Sequence, residues 1–274
     1  MEVNSSNFEY VSKLVKEHSS IVLESGKEYL VNSRLYELAK DSGFKGLNDF
    51  IADIRNKPFN SIHKKIIELM TTNETSFFRD FYPFETLKND IIPEMLERKK
   101  SDKTIRIWSA ACSTGQEPYS IAMILRDAIP DVDSWRIVIN ATDLSTTILE
   151  YAKRGVYKQV EVNRGLPVAY ILKYFEQIGT EWKLKDEIRK MVVFEEINLN
   201  KPFPWWYTFD VIFMRNVLIY FEIETKKLIF EKLKQCLAPE SYLFLGNAET
   251  TINLDAGFEP VTLGKSVCYR LKKI

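Results

Sequence analysis

Apolar residues in the first quarter of the chain recur at the spacing of an amphipathic helix. The residues that set this spacing are Phe8, Val11, Leu14, Val15, Ile62, Ile66, Ile67 and Met70. Positions three and four apart fall on one face of a helix, so each group forms an apolar stripe when the segment is helical. The pattern predicts a small all-helical N-terminal domain over residues 1–70.

From residue 105 onward, apolar runs of strand length alternate with stretches of helical periodicity. The predicted strands are 105–111, 136–142, 192–197, 209–214 and 242–245. The predicted helices are 118–128, 146–153 and 223–236. Such alternation predicts an α/β domain over residues 104–274, with a mostly parallel sheet covered by helices on both faces. Residues 258–271 are predicted to form an antiparallel hairpin at the sheet edge.

Two segments depart from this alternation. Residues 71–103 contain the motif TTNETSFFRD, a helical stretch and the charged run 97–103, which favours a solvated linker. Residues 156–191 contain a short helix at 168–175 and a strand-like piece at 182–184, so they are predicted to form a small subdomain inserted into the α/β domain.

Charge and hydropathy narrow the class of protein. Thirty-eight basic residues balance thirty-eight acidic residues, so no net field favours a polyanion, and nucleic acid is not expected as a partner. The start of the chain has no basic segment followed by an apolar one, and no stretch reaches the roughly 18 apolar residues of a spanning helix. A cytoplasmic location without membrane insertion is expected.

The cysteines and histidines do not form the pattern of a disulfide framework, a metal site or a catalytic site. Cys112, Cys236 and Cys268 are odd in number and far apart, which argues against a disulfide framework and against a Cys-type zinc site. They are expected to be small core residues, and no metal is expected. The two histidines, His18 and His63, are expected at surface positions without a role.

Acidic residues follow the first two predicted strands, at the edge where open α/β sheets bind ligands. The stretch SAACSTGQEP after the first strand lacks the GxGxxG spacing of a dinucleotide site. Its Glu117 suits either the ammonium of an amino-acid moiety or only the dipole of the following helix. Asp143, after the second strand, suits either the hydroxyls of a ribose or a helix cap. Two acidic residues at this edge, without a glycine-rich loop that would bind a phosphate, favour a ligand that joins a nucleoside to an amino acid, such as S-adenosylmethionine.

Polar residues follow the later strands as well. Asn198 and Leu199 could contact an adenine edge and face, and Arg215 and Asn216 are polar residues beside an apolar run, where unpaired burial is costly. Tyr220, at the end of that run, could reach the reacting centre. In TTNETSFFRD, the polar residues Asn73, Thr75 and Arg79 alternate with aromatic ones, which indicates either a pocket lining or, more often, an interdomain clasp.

The order and spacing of five motifs resemble the CheR-type chemotaxis receptor glutamate O-methyltransferases. The motifs are TTNETSFFRD, RIWSAACSTGQEPYSIAM, ATDLS, VVFEEINL and FDVIFMRNVLIYF, and the resemblance that they carry extends over nearly the whole chain. The resemblance implies a receptor-facing helical N-terminal domain, then a Rossmann-like S-adenosylmethionine-dependent methyltransferase domain with a small β-subdomain. A monomer is expected.

The resemblance also implies roles for individual residues. It assigns to the cofactor pocket Asn73, Thr75, Arg79, Glu117, Asp143, Asn198, Leu199, Arg215 and Asn216. Within that set, Glu117 would hold the methionine amino group and Asp143 the ribose. Arg79 and Tyr220 are the catalytic candidates, for orienting the acceptor carboxylate and the methyl group.

Two features differ from some relatives. The stretch SRLYELAKDSGF, which corresponds to an arginine-rich receptor-facing helix in those relatives, offers only Arg34 and Lys40. The insertion is compact around Gly179, without the glycine-rich extension of relatives that bind a receptor's C-terminal peptide tether, so no tether binding is expected.

The implied reaction is methylation of glutamate carboxylates in the cytoplasmic domain of chemotaxis receptors, with S-adenosylhomocysteine as the second product. Two alternatives remain open at this point. One is a small-molecule methyltransferase with the helical module as a lid, and the other is a non-catalytic module that binds the cofactor as a signal.

Overall fold

Helices form the N-terminal part of the chain, as the apolar spacing predicts. The structure, a computed structural model, describes residues 2–204 and 207–272. The first helices are α1 (Ser5–Ser19), α2 (Glu28–Asp41), α3 (Leu47–Arg55) and α4 (Ser61–Met70). The side chain of Asn4 accepts a hydrogen bond from the backbone of Asn7, and that of Asn60 does the same for Ile62. These caps satisfy amides that have no partner within the helix.

Contacts divide the chain into two compact units. The first comprises the residues up to Thr72 together with Tyr220–Lys226, and the second comprises Asn73–Ile219 and the chain from Lys227 onward. The core of the first unit is formed by apolar faces of its helices, with Val11, Val15 and Phe50 fully buried. No helix in the part of the chain that the structure describes is long and apolar enough to cross a membrane.

His63 lies inside the helical unit, so its predicted surface position was wrong. The residue is 2% exposed, and its Nδ1 accepts a hydrogen bond of 3.2 Å from the backbone N–H of Asn60. Burial lowers the pKa of His63, because the interior disfavours the charged imidazolium. Its position three residues after the cap of α4 explains the burial, since the neutral ring completes the cap.

The second unit is built on a large, mostly parallel β-sheet. The strands along the chain are β1 (Thr104–Ala110), β2 (Arg136–Asp143), β3 (Val156–Lys158), β4 (Phe175–Ile178), β5 (Glu181–Leu184), β6 (Val192–Glu196), β7 (Phe209–Met214), β8 (Leu237–Leu245), β9 (Phe258–Leu263) and β10 (Ser266–Leu271). The order in the large sheet is β6-β2-β1-β7-β8-β10-β9. The pairs from β6 to β8 are parallel, and β10 runs antiparallel to both β8 and β9.

The predicted strands and the edge hairpin are therefore present, and the α/β fold class is confirmed. Every residue of β7 is buried, as expected for a central strand with helices on both faces. The remaining helices are α5 (Tyr82–Thr86), a π-helix (Leu87–Ile91), α6 (Ile92–Arg98), α7 (Gln116–Ala128), a 3-10 turn (Val132–Ser134), α8 (Thr146–Arg154), α9 (Gln159–Asn163), α10 (Val168–Tyr174), α11 (Asp186–Arg189), a 3-10 turn (Leu218–Tyr220) and α12 (Ile223–Cys236).

The inserted segment forms a small antiparallel sheet with the order β3-β5-β4. Its contact with the TTNETSFFRD segment depends on Gly165, which has a φ of +87°. A Cβ atom on Gly165 would lie 2.1 Å from the carbonyl oxygen of Phe77, well inside van der Waals contact. Only a residue without a side chain allows this approach.

The charged run 97–103 is not wholly solvated, which corrects its prediction as a solvated linker. Lys99 Nζ lies 2.8 Å from Oδ1 of Asp210, and Arg98 lies 3.6 Å from the same atom. Asp210 is 2% exposed and also accepts a hydrogen bond from the backbone of Arg106. A carboxylate buried at the start of a central strand needs cationic partners, and the run supplies two.

Candidate functional site

The loop after β1 is fixed by Asp143 at the end of β2. Asp143 accepts a hydrogen bond of 2.9 Å from the backbone N–H of Ser113 and one of 3.1 Å from that of Ser145. Ser145, not Asp143, caps α8, because its side chain accepts from Ile148. The helix-cap interpretation of Asp143 is therefore wrong. Asp143 is 7% exposed and lies at the carboxyl edge of the sheet, beside the loop that begins α7.

Glu117, in the first turn of α7, is buried and bonded on both oxygens. The Ser109 hydroxyl donates to Oε1 at 2.8 Å, and Arg215 Nη1 donates to Oε2 at 2.9 Å. An effect on the helix dipole alone does not account for a carboxylate held by two side chains from neighbouring strands. The arrangement fixes a negative charge at the carboxyl edge of the sheet.

Arg215 joins this carboxylate to the TTNETSFFRD segment. Its side chain is 1% exposed, and Nη2 lies 2.6 Å from Oδ2 of Asp80 and 2.9 Å from the carbonyl oxygen of Arg79. Its guanidinium also lies over the ring of Phe84, at 5.6 Å. Its Nε is buried without a hydrogen-bond partner among the residues that the structure describes. One cation between two carboxylates leaves a net negative charge at this point.

The segment from Asn73 to Phe81 is anchored within the second unit. Ser113 donates a hydrogen bond of 2.8 Å to the carbonyl of Asn73, and the backbone of Phe78 donates one of 3.0 Å to Ser120. Phe77 is fully buried, and its ring lies 5.0 Å from that of Tyr157. These contacts place the segment beside the loop after β1, which favours the pocket interpretation of this motif.

The backbone of the site adopts unusual conformations. The non-glycine residues with positive φ angles in the motif segments or directly beside them are Phe78, Asp80, Phe81, Ala111, Ser113 and Asn216. Such conformations cost energy and persist only where surrounding contacts impose them, and they occur often at functional sites. Asp143 and Ser120 accept hydrogen bonds from the backbones of Ser113 and Phe78, and Arg215 donates to the Asp80 side chain, so three of these residues are held by site contacts.

The remaining predicted site residues lie in three other segments of the chain. Arg79 is half-buried and donates to the carbonyl of Glu74 at 2.8 Å, and Thr75 is half-buried in the same segment. Asn198 and Leu199 follow β6, where the Asn198 side chain accepts from the backbone of Asn200 at 3.1 Å. Tyr220 belongs to the first unit, where its carbonyl accepts from the backbone of Val22 at 3.2 Å.

Sequence reasoning missed two acidic residues of this region. Asp80 belongs to the TTNETSFFRD motif, but its pairing with Arg215 spans 135 positions and has no local sequence signal. Glu249 follows β8, and its carboxylate accepts hydrogen bonds from backbone amides of the loop after β7. The rule that selected Glu117 and Asp143, an acid just beyond a strand, would have selected Glu249 too.

The cysteine beside the site is not a nucleophile. Burial raises the pKa of Cys112 well above its ordinary value, and the negative charges of Asp143 and Glu117 raise it further. The thiol therefore stays protonated and unreactive. All three cysteines are buried and free, as predicted. Within residues 2–204 and 207–272, no cluster of three or more His, Cys, Asp and Glu residues is placed to hold a metal ion.

The residues at this edge fit S-adenosylmethionine. Asp143 and Glu117 place two buried carboxylates at this edge, and the resemblance assigns them to the ribose hydroxyls and the methionine ammonium of the cofactor. The loop after β1, SAACSTGQEP, is not a glycine-rich phosphate-binding loop. The sheet order and these strand-end acids match the predicted S-adenosylmethionine-dependent methyltransferase domain.

Comparisons with known proteins identify the family. The model for the CheR methyltransferase SAM-binding domain matches residues 73–267, and that for the CheR methyltransferase all-alpha domain matches residues 6–71. The chain therefore belongs to the CheR methyltransferase family. It is 37% identical to chemotaxis protein methyltransferase Cher2 of Pseudomonas putida and 38% identical to chemotaxis protein methyltransferase 1 of Pseudomonas aeruginosa, over 99% of this chain and 100% of each relative. A chemotaxis protein methyltransferase of Vibrio parahaemolyticus is 37% identical over 95% of both chains.

Proposed function

We propose that this protein methylates glutamate side chains in the cytoplasmic domain of chemotaxis receptors. The full-length similarity to proteins named chemotaxis protein methyltransferases supports a role in chemotaxis. The observation that supports a carboxylate acceptor is that histidine, the commonest general base, does not occur in the sequence of the second unit, since both histidines precede residue 72. A glutamate carboxylate, with a pKa of about 4.3, is already ionised at pH 7 and needs no general base. An alcohol or an ammonium group would need one.

The strand-end residues hold the methyl donor in this proposal. Asp143 accepts hydrogen bonds from the ribose hydroxyls, Glu117 faces the methionine ammonium, and Asn198 and Leu199 contact the adenosine end. Arg215 keeps Glu117 in place through the hydrogen bond of 2.9 Å to Oε2. S-adenosylmethionine supplies a methyl group activated by its sulfonium, and S-adenosylhomocysteine is left after transfer.

Arg79 orients the acceptor carboxylate. Its backbone is fixed by Arg215, through the hydrogen bond of 2.9 Å to its carbonyl, while its side chain makes a hydrogen bond only to a backbone carbonyl among the contacts described. Fixing two reactants in near-attack geometry can lower a barrier by about 7–11 kcal/mol. The part of Tyr220 in positioning the methyl group rests on the motif resemblance.

The helical N-terminal domain is the proposed receptor-facing part, without a strongly basic face. Arg34 on α2 is committed to its own unit, because its guanidinium donates to the carbonyls of Met70 and Thr71 at 2.9 and 2.8 Å. Lys40 remains exposed, beside the exposed Tyr36. Binding of a receptor's C-terminal tether stays predicted to be absent, since the β4–β5 turn consists of Gly179 and Thr180.

Transfer of labelled methyl groups tests the proposal. The protein is incubated with methyl-labelled S-adenosylmethionine and either a receptor cytoplasmic fragment or a pool of small metabolites. We expect label on the fragment that is released as methanol by mild base, because carboxyl methyl esters are base-labile. Base-stable label or label confined to metabolites would refute a glutamate acceptor. Donor binding without any transfer would favour a regulatory module.

A further inference from the structure

A carboxylate outside the residues assigned to the site fixes the loop after β7. Oε1 of Glu249 accepts hydrogen bonds from the backbone N–H groups of Val217 and Leu218, at 2.9 and 2.7 Å, and from that of Ile219 at 3.3 Å. Oε2 accepts from Asn216 at 2.8 Å. Consecutive amides that converge on one anion form a nest, which holds a loop in a single conformation.

The same carboxylate also holds its own loop. Oε2 accepts a hydrogen bond of 2.6 Å from the backbone N–H of Gly246, directly after β8. A Cβ atom on Gly246 would lie 2.7 Å from Oε2 of Glu249 and 2.8 Å from the backbone nitrogen of Asn216. Since Met214 and Leu245 are paired at the ends of adjacent parallel strands, Glu249 joins the two strand-end loops.

The loop that Glu249 holds carries two residues of the proposed cofactor pocket. Asn216 has a φ of +59°, which a non-glycine residue adopts only when neighbouring contacts impose it. Arg215, one position earlier, bonds Glu117 and Asp80. We propose that Glu249 is a positioning residue, which sets the conformation of residues 215–219 so that Arg215 and Asn216 meet the methyl donor. This role rests on the proposed cofactor contacts of Arg215 and Asn216.

Glu249 acts through the loop, not by touching the donor. A carboxylate has about four lone-pair positions, and the amides of five residues already occupy them. Replacement by glutamine turns one oxygen into a donor that faces N–H groups, so part of the nest is lost while the side-chain volume stays the same. The loop can then relax from its left-handed conformation at Asn216.

The experiment compares Glu249→Gln with Glu259→Gln, a matched change at an exposed position on β9. Calorimetry gives the Kd for S-adenosylmethionine, steady-state methylation of a receptor fragment gives separate KM values for donor and fragment, and thermal unfolding gives Tm. We expect Glu249→Gln to raise the donor Kd and donor KM by about ten-fold or more, because a loop that relaxes must be reordered when the donor binds. The KM for the fragment should stay within about two-fold, and Glu259→Gln should match the wild type.

A second variant guards against a folding defect. Gly246→Ala keeps the carboxylate but displaces it, and it should show the same selective rise in donor Kd. Unchanged donor Kd in both variants, or a fall in kcat alone, would overturn the positioning role. So would loss of the folded state in both variants, which would make Glu249 a folding residue. If the wild type itself does not bind the donor, the cofactor assignment fails first, and the two failures are distinguished.

Discussion

The Nη1 nitrogen of Arg215 lies 2.9 Å from Oε2 of Glu117, and the arginine side chain is 1% exposed. The same guanidinium reaches Asp80, 135 positions earlier in the chain, at 2.6 Å. A strand-end loop, the start of α7 and the TTNETSFFRD segment therefore share one buried cation. Such pairing is costly to break, because a lone charge would remain in the interior.

Replacement of Asp80 by asparagine should weaken donor binding more than its cost in stability suggests. Arg215 would then be attracted to Glu117 alone, and it would compete with the donor ammonium for that carboxylate. We expect about a ten-fold rise in the donor Kd and a loss of about 1–3 kcal/mol in the free energy of unfolding. Calorimetry measures the donor Kd, and urea denaturation measures the free energy of unfolding. Asp53→Asn, at an exposed ion pair with Lys57, should change neither by much.

Asp143→Ala should abolish measurable donor binding and leave the fold intact. The variant loses the proposed ribose contact, and the amide of Ser113 loses its acceptor, which costs about 1–3 kcal/mol. Titration calorimetry with S-adenosylmethionine, alongside circular dichroism, checks the result. Asp41→Ala, at an exposed residue of α2, serves as the control. Wild-type affinity in Asp143→Ala would remove this residue from the cofactor site.

Arg79→Ala should reduce turnover far more than stability. The side chain donates to an accessible backbone carbonyl of Glu74, so its loss should change the free energy of unfolding by less than about 1 kcal/mol. Misplacing the acceptor carboxylate can cost about 100-fold in rate. The rate of methyl transfer is measured under single-turnover conditions. Arg164→Ala removes a cation that pairs with Glu74 nearby and should keep normal turnover; equal losses in the two variants would point to a general charge effect.

Gly165→Ala and Gly179→Ala separate steric contact from backbone strain. Both glycines have positive φ, +87° and +61°, so both alanine variants carry the same kind of strain, about 1–2 kcal/mol. Around Gly179 there is nothing within 4 Å, whereas at Gly165 the new Cβ would meet the carbonyl of Phe77. We expect Gly165→Ala to be less stable by a further 1–3 kcal/mol or so in urea denaturation. Equal stabilities would mean that the two segments separate without cost.

Stability should fall at alkaline pH. Burial raises the pKa of Cys236 to about 11 and that of Cys268 to about 12, and it also raises the pKa of Cys112. A group with a raised folded-state pKa stabilises the fold fully below its unfolded value, about 8.5 for a thiol, and loses that contribution as the pH rises through the folded value. The free energy of unfolding should therefore decline between about pH 8.5 and pH 12. Denaturation series at pH 7.5, 9.5 and 10.5 check the slope, and a flat series would contradict it.

Local patterns were enough to predict the sheet, because each central strand is a short apolar run and each helix an amphipathic one. Strand-end position likewise pointed to Glu117 and Asp143. Partners distant in the chain could not be predicted: Asp80 with Arg215, Asp210 with Lys99, and Glu249 with the loop after β7. His63 was misjudged because its burial depends on a cap at Asn60, not on its own polarity.

The three buried cysteines make this protein convenient for spectroscopic labelling. Each is buried, and burial keeps each thiol protonated near neutral pH, where maleimides react with thiolates. A new cysteine at the exposed Thr180, in the β4–β5 turn, would react ahead of the native ones. A fluorophore or spin label could therefore report on the inserted subdomain in the native sequence background, without first building a cysteine-free variant.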